Sequence, residues 1–282
     1  MSRADEIYLE IAKQILENGF EHKVEGAWYA SDGGEVIVKK LGRPVVMQFD
    51  LQQEFPILTS KYVPWKKFRD EIYWIMIMQS NDVRELHAMD IRFWDEWMGE
   101  DFTIGKAYGV QVKKFKQLDR LIGKIMNNPN DRGMIIQLWN EEDLPHMNIR
   151  PCAFMTMWDV TDGYLNCSLI QRSGDWGLGI PFNFGQYAML VHMVAQVTNL
   201  KPGVLTHYIN NAHIYDRHYD MIREQLNRPT FAAPEFQINK EVKNIYDFKP
   251  EDLQIVGYKG KHAGMLQMEM ATVINPHKQV QN

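Results

Sequence analysis

The chemistry of this 282-residue chain gathers around one cysteine and a polar run downstream of it. Cys152 follows Pro151, which fixes the backbone just before the thiol; Arg150 stands two residues ahead, and Arg172 lies in the polar run downstream. A cation brought close to a thiol lowers its pKa and makes the nucleophilic thiolate available near neutral pH. Without such a neighbour a free cysteine is a small buried hydrophobe, and Cys167, inside an alternating β-like run, reads that way. The run QRSGDWGLGIPFNFGQY fills residues 171–187. It sets Gln171, Arg172, Ser173, Asp175 and Asn183 among glycines and a proline, directly ahead of an apolar stretch. An ordinary core segment does not carry that much polar and turn chemistry. The nine histidines show no HxxxH pair and no Cys/His spacing of metal type, so no metal site is expected.

These residues must be positioned by the elements around them. Residues 5–19 carry Ile7, Leu9, Ile11, Ile15 and Leu16 at near-helical spacing. Residues 23–50 read as short β-like pieces with a turn at Gly33-Gly34. Pro64 opens a helix over 64–79 that is apolar on most of its surface, through Trp65, Phe68, Ile72, Trp74, Ile75 and Met78. A second amphipathic helix spans 117–127. Met134–Trp139, Phe154–Asp159 and Tyr164–Gln171 are β-like, and Asp162-Gly163 between the last two is a hairpin signal. A long apolar helix follows from about Phe184 to Thr198, then a β-like run Val204–Ile209 and a helix over Asp216–Leu226. Strands and helices mix without regular βαβ alternation, which predicts an α+β fold with a mixed sheet packed by helices. No linker or repeat divides residues 1–282, so one domain is expected, with a polar, loose C-terminal extension over 274–282.

Composition narrows the function classes. Apolar residues make 45% of the chain and charged residues 24%, which excludes a disordered or collagen-like polymer. The formal charge of −5 disfavours a DNA binder or a partner of anionic membranes. The longest apolar run, Ile72–Met78, falls far short of the roughly 20 residues a membrane span needs. The first residues lack the apolar stretch of a signal peptide, so a cytosolic protein is expected, in which Cys152 and Cys167 stay unpaired.

With the polar run in view, the sequence resembles the thymidylate synthase family. The match extends from about residue 5 to Val273. Besides QRSGD and the following LG.PFN, it includes FPILTSK (55–61), DEIYW (70–74), FWDEW (93–97), AYG (107–109), LWN (138–140), PC (151–152) and AHIYDRH (212–218). The resemblance implies transfer of a one-carbon unit from 5,10-methylenetetrahydrofolate to C5 of dUMP, or of a close pyrimidine nucleotide. It also implies a homodimer joined sheet to sheet, with site residues borrowed from the partner. C5 of uracil is a poor nucleophile, and a thiolate adding at C6 turns the ring into an enolate that is rich at C5. Cys152 matches that nucleophile. Asn183 matches the residue reading N3 and O4, where a side-chain amide accepts from N3–H and donates to O4; relatives acting on cytosine carry Asp there. Glu71 matches a carboxylate working through ordered water. Its apolar neighbours Ile72, Trp74 and Ile75 suit a half-buried, proton-exchanging carboxyl. Tyr108 matches the tyrosine associated with removal of the C5 proton. His213 and Tyr215 match the pair on the sugar 3′-hydroxyl, and Gln171, Arg172, Ser173 and Arg132 fall in the nucleotide site. On the folate side Asp175 matches the pterin-binding carboxylate, with Trp94, Trp97, Gly179 and Lys61 around it: an aromatic wall plus one carboxylate suits a flat, partly charged ring.

The sequence also departs from the family pattern. Four arginines normally grip the substrate phosphate, two of them adjacent and donated by the partner subunit. Arg172 is present, but of the adjacent pair Arg132 remains and Gly133 replaces the second. The N-terminal loop reads HKVEGAWYA (22–30), without the arginine expected there. Losing two charge-assisted contacts at about 1.5–3 kcal/mol each is a large deficit. Arg150, Lys23, Lys39 and Arg43 are candidates to offset it, and Arg150 is the one favoured here. Ala153 follows the nucleophile where many members have His. The chain runs on to Asn282, past the apolar tail with which members usually close a lid over the folate. An extension holding that lid ajar would let water intercept the one-carbon unit and give 5-hydroxymethyl-dUMP and tetrahydrofolate. Methylation is the first expectation, hydroxymethylation the alternative, and a non-catalytic nucleotide binder the third.

Overall fold

A computed structural model describes residues 1–29 and 31–273, so the expected extension over 274–282 lies outside the described residues. In chain order the strands are β1 (Phe20–Tyr29), β2 (Glu35–Lys40), β3 (Val45–Asp50), β4 (Ile135–Gln137), β5 (Ala153–Thr161), β6 (Tyr164–Asp175), β7 (Lys201–Tyr215), β8 (Glu235–Ile238), β9 (Leu253–Val256) and β10 (Ala271–Val273). One sheet runs β10-β1-β2-β7-β6-β5-β4, with β3 also paired to β7, while β8 and β9 form a separate ribbon. The β6–β7 pairing is parallel and the other pairings of this sheet are antiparallel, giving the expected α+β fold with a mixed sheet. The β5–β6 hairpin turns through Asp162 at φ 50° and Gly163 at φ 77°. Two positive φ values match the twist of the flanking strands, which is why Asp-Gly is favoured there.

Period-two alternation decides which face of the sheet is covered. Val45, Met47, Phe49, Leu169, Leu205 and Ile209 are buried. Their neighbours Val46, Met157 and Ile135 are 52%, 40% and 42% exposed, on the opposite face. The covering layer is the helix Gly179–Val197, apolar nearly all round and therefore central rather than superficial. It packs on the sheet and on the helix Trp65–Tyr73. The close approach needs Gly185, where a Cβ would lie 2.6 Å from Phe68 Cζ.

Several elements differ from the sequence expectation, each for a tertiary reason. The helix expected over 64–79 is α-helical over Trp65–Tyr73, then widens into a π turn, Trp74–Met78, ending at Gln79 with φ 52°. Periodicity does not register the extra residue of such a turn. β6 runs four residues past Gln171, to Asp175, and β7 from Lys201 to Tyr215, because each supplies the other's ladder: Ser173 pairs with Asn211 and Asp175 with His213. The central helix starts at Gly179, ahead of the apolar run. The short helices Val83–Ala88 and Gly109–Lys114 and the β8–β9 ribbon have no equivalent in the sequence reading.

Candidate active site

The two central strands and the central helix converge at one end of the sheet. Ala153 of β5 pairs with Gln171 of β6, and the Arg172 N–H donates to the Cys152 carbonyl at 2.9 Å. The nucleophile candidate is thereby fixed beside the polar end of β6. The parallel β6–β7 register brings His213 and Tyr215 alongside, and the first turns of the central helix present Gly179 and Asn183. Glu71 comes from the helix Trp65–Tyr73 and Trp94 and Trp97 from the segment before Met98. Tyr108 stands at the start of the helix Gly109–Lys114. Together they line a cavity of about 460 Å³. Of the site residues expected from sequence, all but Lys61 and Arg132 line it, and of the candidates for the missing arginines Arg150 lines it while Lys23, Lys39 and Arg43 do not.

Cys152 Sγ lies 3.7 Å from Arg172 Nη2, and Arg172 is itself anchored by Nε on the Pro151 carbonyl (2.9 Å) and Nη2 on the Arg150 carbonyl (3.0 Å). Of the two arginines that the sequence sets around the cysteine, Arg172 is the one at the sulfur. The expected lowering of the thiol is corrected: burial pushes Cys152 up, and Arg172 offsets only part of that while Asp175 adds to it. Desolvation favours the protonated thiol, and the Arg172 guanidinium is the group that works against it. Arg150 lines the cavity, and its buried Nε has no partner among the described residues.

Glu71 is 7% exposed, and burial raises its carboxyl to about 7, although hydrogen bonds from Trp94 Nε1 (2.8 Å) and Gln186 Nε2 (2.6 Å) favour the charged form. It is poised to take or give a proton near neutrality. Tyr108 accepts the Cys152 backbone N–H at 3.2 Å and is raised well above the ordinary tyrosine range, by burial first and then by Cys152. Its backbone sits at φ 48°, ψ −104°, and Gly109 beside it leaves no room for a Cβ against the Ser80 carbonyl. Such strain persists only where surrounding structure imposes it. His213 Nδ1 lies 3.1 Å from the Asn211 carbonyl, to which the ring donates, and burial holds the imidazole neutral, leaving Nε2 as an acceptor toward the cavity. Tyr215 packs edge-on to it at 5.1 Å. Asn183 Oδ1 accepts from Gln171 Nε2 at 2.9 Å, and the Gln171 oxygen faces His207 Nε2 at 2.8 Å.

Trp94 stands edge-on to both Trp97 (5.7 Å) and Tyr108 (5.2 Å), which forms an aromatic wall. The Trp97 indole N–H is buried without a partner among the described residues. Opposite lies Asp175, which accepts the Gly177 N–H at 2.8 Å. Lys61 does not line the cavity: its ammonium donates to the Gly177 carbonyl, near Asp175, and burial lowers it to about 8. Lys61 follows a loop pinned by the buried Asp5, which accepts the Thr59 N–H (3.0 Å) and the Ser60 N–H (3.0 Å). Arg132 sits apart from the cavity, on the exposed turn between the helix Gln117–Asn127 and β4. The structure adds Phe93, Ile149, Leu178, Phe182, Met270 and Ala271 to the lining. Apolar lining has no sequence signature apart from the core. Met270 and Ala271 arrive through β10, which pairs with β1 far away in sequence.

Comparison with known proteins agrees across three measures. A family model described as thymidylate synthase matches residues 6–272. A thymidylate synthase of Clostridium beijerinckii is 50% identical over 274 residues, covering 96% of this chain and all of that protein. Thymidylate synthase 1 of Bacillus subtilis is 40% identical with the same coverage. The solved thermostable thymidylate synthase A from Bacillus subtilis superposes with a TM-score of 0.90 at 39% identity, covering 95% of this chain and 99% of that one. Among the described residues no helix is long and apolar enough to cross a membrane.

Proposed function

The chain belongs to the thymidylate synthase family, and from that premise we propose how its own residues divide the reaction. It is a methyltransferase that moves a one-carbon unit from 5,10-methylenetetrahydrofolate to C5 of dUMP with reduction, giving dTMP and dihydrofolate. The folate supplies both the carbon and the reducing hydride. Residues 1–282 act as one catalytic domain, and Cys152 adds to C6 of the base. Arg172, 3.7 Å from the sulfur, stabilises the thiolate once the nucleotide fills the cavity. Asn183 meets N3–H and O4, and Gln171 fixes its oxygen. Glu71 exchanges protons near O4 through water, and Tyr108 serves removal of the C5 proton. His213 and Tyr215 receive the sugar 3′-hydroxyl, and Ser173 and Arg172 meet the phosphate. Asp175, Gly179, Trp94 and Trp97 hold the folate ring, for which the partnerless Trp97 N–H provides an additional donor. Lys61 supports this side through Gly177.

The phosphate end is thinner than the family pattern, and two sources of charge complete it. Arg150, whose buried Nε has no partner among the described residues, contributes its guanidinium from within the chain. Arg132 comes from a second copy. The uncovered sheet face carries Ile135 directly opposite Met157 and Val46 opposite Tyr208, an apolar patch suited to a sheet-to-sheet homodimer. By strand alternation Arg172 stands on that same face, where an arginine of a partner could reach it. The free thiols of Cys152 and Cys167 suit a reducing, cytosolic setting.

The observation that carries this reading is the meeting of Cys152, Arg172, Asn183 and Glu71 in one cavity. Incubation with dUMP and methylenetetrahydrofolate tests it. Absorbance rises in the dihydrofolate band and dTMP forms, and Cys152→Ser abolishes both. Formation of 5-hydroxymethyl-dUMP without that rise would favour the hydroxymethyl alternative. Turnover surviving in Cys152→Ser would refute the proposed nucleophile.

A further inference from the structure

Gln186 lies inside the polar run at 171–187 but was not among its candidate site residues, yet it sits between two groups of the site. It lies one helical turn after Asn183 and is 3% exposed. Its Nε2 donates to Glu71 Oε2 at 2.6 Å, and its Oε1 accepts from Asn183 Nδ2 at 3.3 Å. Trp94 Nε1 donates to the other oxygen of Glu71, and Gln171 Nε2 donates to Asn183 Oδ1. Carboxyl, Gln186 amide and Asn183 amide thus form one chain of hydrogen bonds with a single direction.

That direction follows from charge. An ionised carboxylate only accepts hydrogen bonds, so it holds the NH2 end of Gln186 toward itself. The oxygen of Gln186 must then face Asn183, which turns the NH2 end of Asn183 toward Gln186. Rotating either amide by half a turn would set oxygen against carboxylate or NH2 against NH2, beside Glu71 and Gln186, which are both buried. At the far end Gln171 imposes the same sense, since it donates to the Asn183 oxygen while its own oxygen faces His207 Nε2. With one N–H and one lone pair of Asn183 engaged, one donor and one acceptor remain for a ligand. That pair matches O4 and N3–H of uracil. Cytosine offers the reverse, a donor at N4 and an acceptor at N3.

We propose that Gln186 is a positioning residue that ties the orientation of the Asn183 carboxamide to the charge on Glu71, so that preference for uracil over cytosine depends on a carboxyl that does not contact the amide it controls. The inference rests on the reading that Asn183 meets the base. It assigns Gln186 a role in specificity in addition to a structural one. Gln186→Met keeps the side-chain length and removes both hydrogen bonds. Glu71→Gln keeps Gln186 but lets the residue at 71 donate, so the direction of the chain is no longer imposed.

The test is the ratio of dCMP to dUMP dissociation constants, measured by calorimetry in the folded protein without folate. Wild type prefers dUMP. Gln186→Met and Glu71→Gln each reduce that preference about tenfold. The double variant reduces it no further than either single change, because both break one chain. In Gln186→Met the pH profile of kcat also shifts upward, since Glu71 has lost a donor to its charged form, and kcat falls more than KM rises. A merely structural role would move thermal stability and leave the ratio and the profile alone. An unchanged ratio in folded Gln186→Met overturns the proposal. Should that variant not fold, an unchanged ratio in Glu71→Gln overturns it instead. Failure of the functional reading looks different: wild type then shows no preference for dUMP and no turnover.

Discussion

Glu71 offers a test that needs no substrate. In an unfolded chain its carboxyl titrates near 4.5, while burial in the folded protein raises it to about 7. Below pH 4.5 both states hold the proton and Glu71 adds no pH dependence. Between 4.5 and about 7 the unfolded chain ionises while the folded protein resists, so stability falls as pH rises. Above 7 both are charged and the loss is complete. The two values differ enough to correspond to about 3 kcal/mol. Glu71→Gln has nothing to titrate at this position. Its hydrogen-bond rearrangement with Gln186 costs the same at every pH, so the informative quantity is the change in the difference between the two proteins. Urea unfolding of wild type and variant at fixed protein concentration, from pH 4.5 to 8, measures it. The difference shifts by about 3 kcal/mol in favour of the variant across that window. Parallel curves would show that the carboxyl is not held protonated by burial, and the proton-exchange role would lose its physical basis.

Three further perturbations probe the phosphate end, the core and the C-terminal segment. Arg150→Ala raises KM for dUMP about 10- to 100-fold, as expected for one charge-assisted contact; an unchanged KM removes Arg150 from the phosphate site. Gly185→Ala forces a Cβ against the Phe68 ring and costs about 1–3 kcal/mol in chemical unfolding, whereas a neutral result would mean that the helices separate easily. Arg217 stacks on Tyr29 and bonds Asp32 and Glu269, tying the β1–β2 turn to the segment that leads into β10. Arg217→Ala therefore raises KM for methylenetetrahydrofolate several-fold and leaves KM for dUMP unchanged, because Met270 and Ala271 lose their tether while Cys152, Arg172 and Arg150 keep theirs.

Legibility differed between the elements and the site. Helices with one apolar face, Arg3–Asn18 and Gln117–Asn127, were readable within a residue or two, since a stripe at helical spacing has to be buried. The β5–β6 turn was readable because Asp-Gly tolerates positive φ at both positions. The C-terminal half of β7 was not: residues Asn210–Tyr215 alternate poorly, and they are extended only because β6 and β2 pair with them. The polar run at 171–187 stood out because core segments rarely carry such chemistry. Gln186, one residue from its end, did not, because one buried glutamine in an apolar helix has no pattern of its own.

The sequence by itself determined the helical and strand faces, the hairpin, and the candidate roster around Cys152, each from local spacing or residue type. It also showed Gly133 and the loop over 22–30 without the arginines that the family resemblance leads one to expect there. Only the tertiary structure decided which guanidinium faces the sulfur, that Lys61 bonds Gly177 instead of lining the cavity, and that Glu71 reaches Asn183 through Gln186. Those outcomes depend on distances between segments far apart along the chain and on the burial of the groups that those segments bring together. Desolvation, which pushes both Glu71 and Cys152 up, is a property of the packing around a group, and no local pattern of residues encodes it.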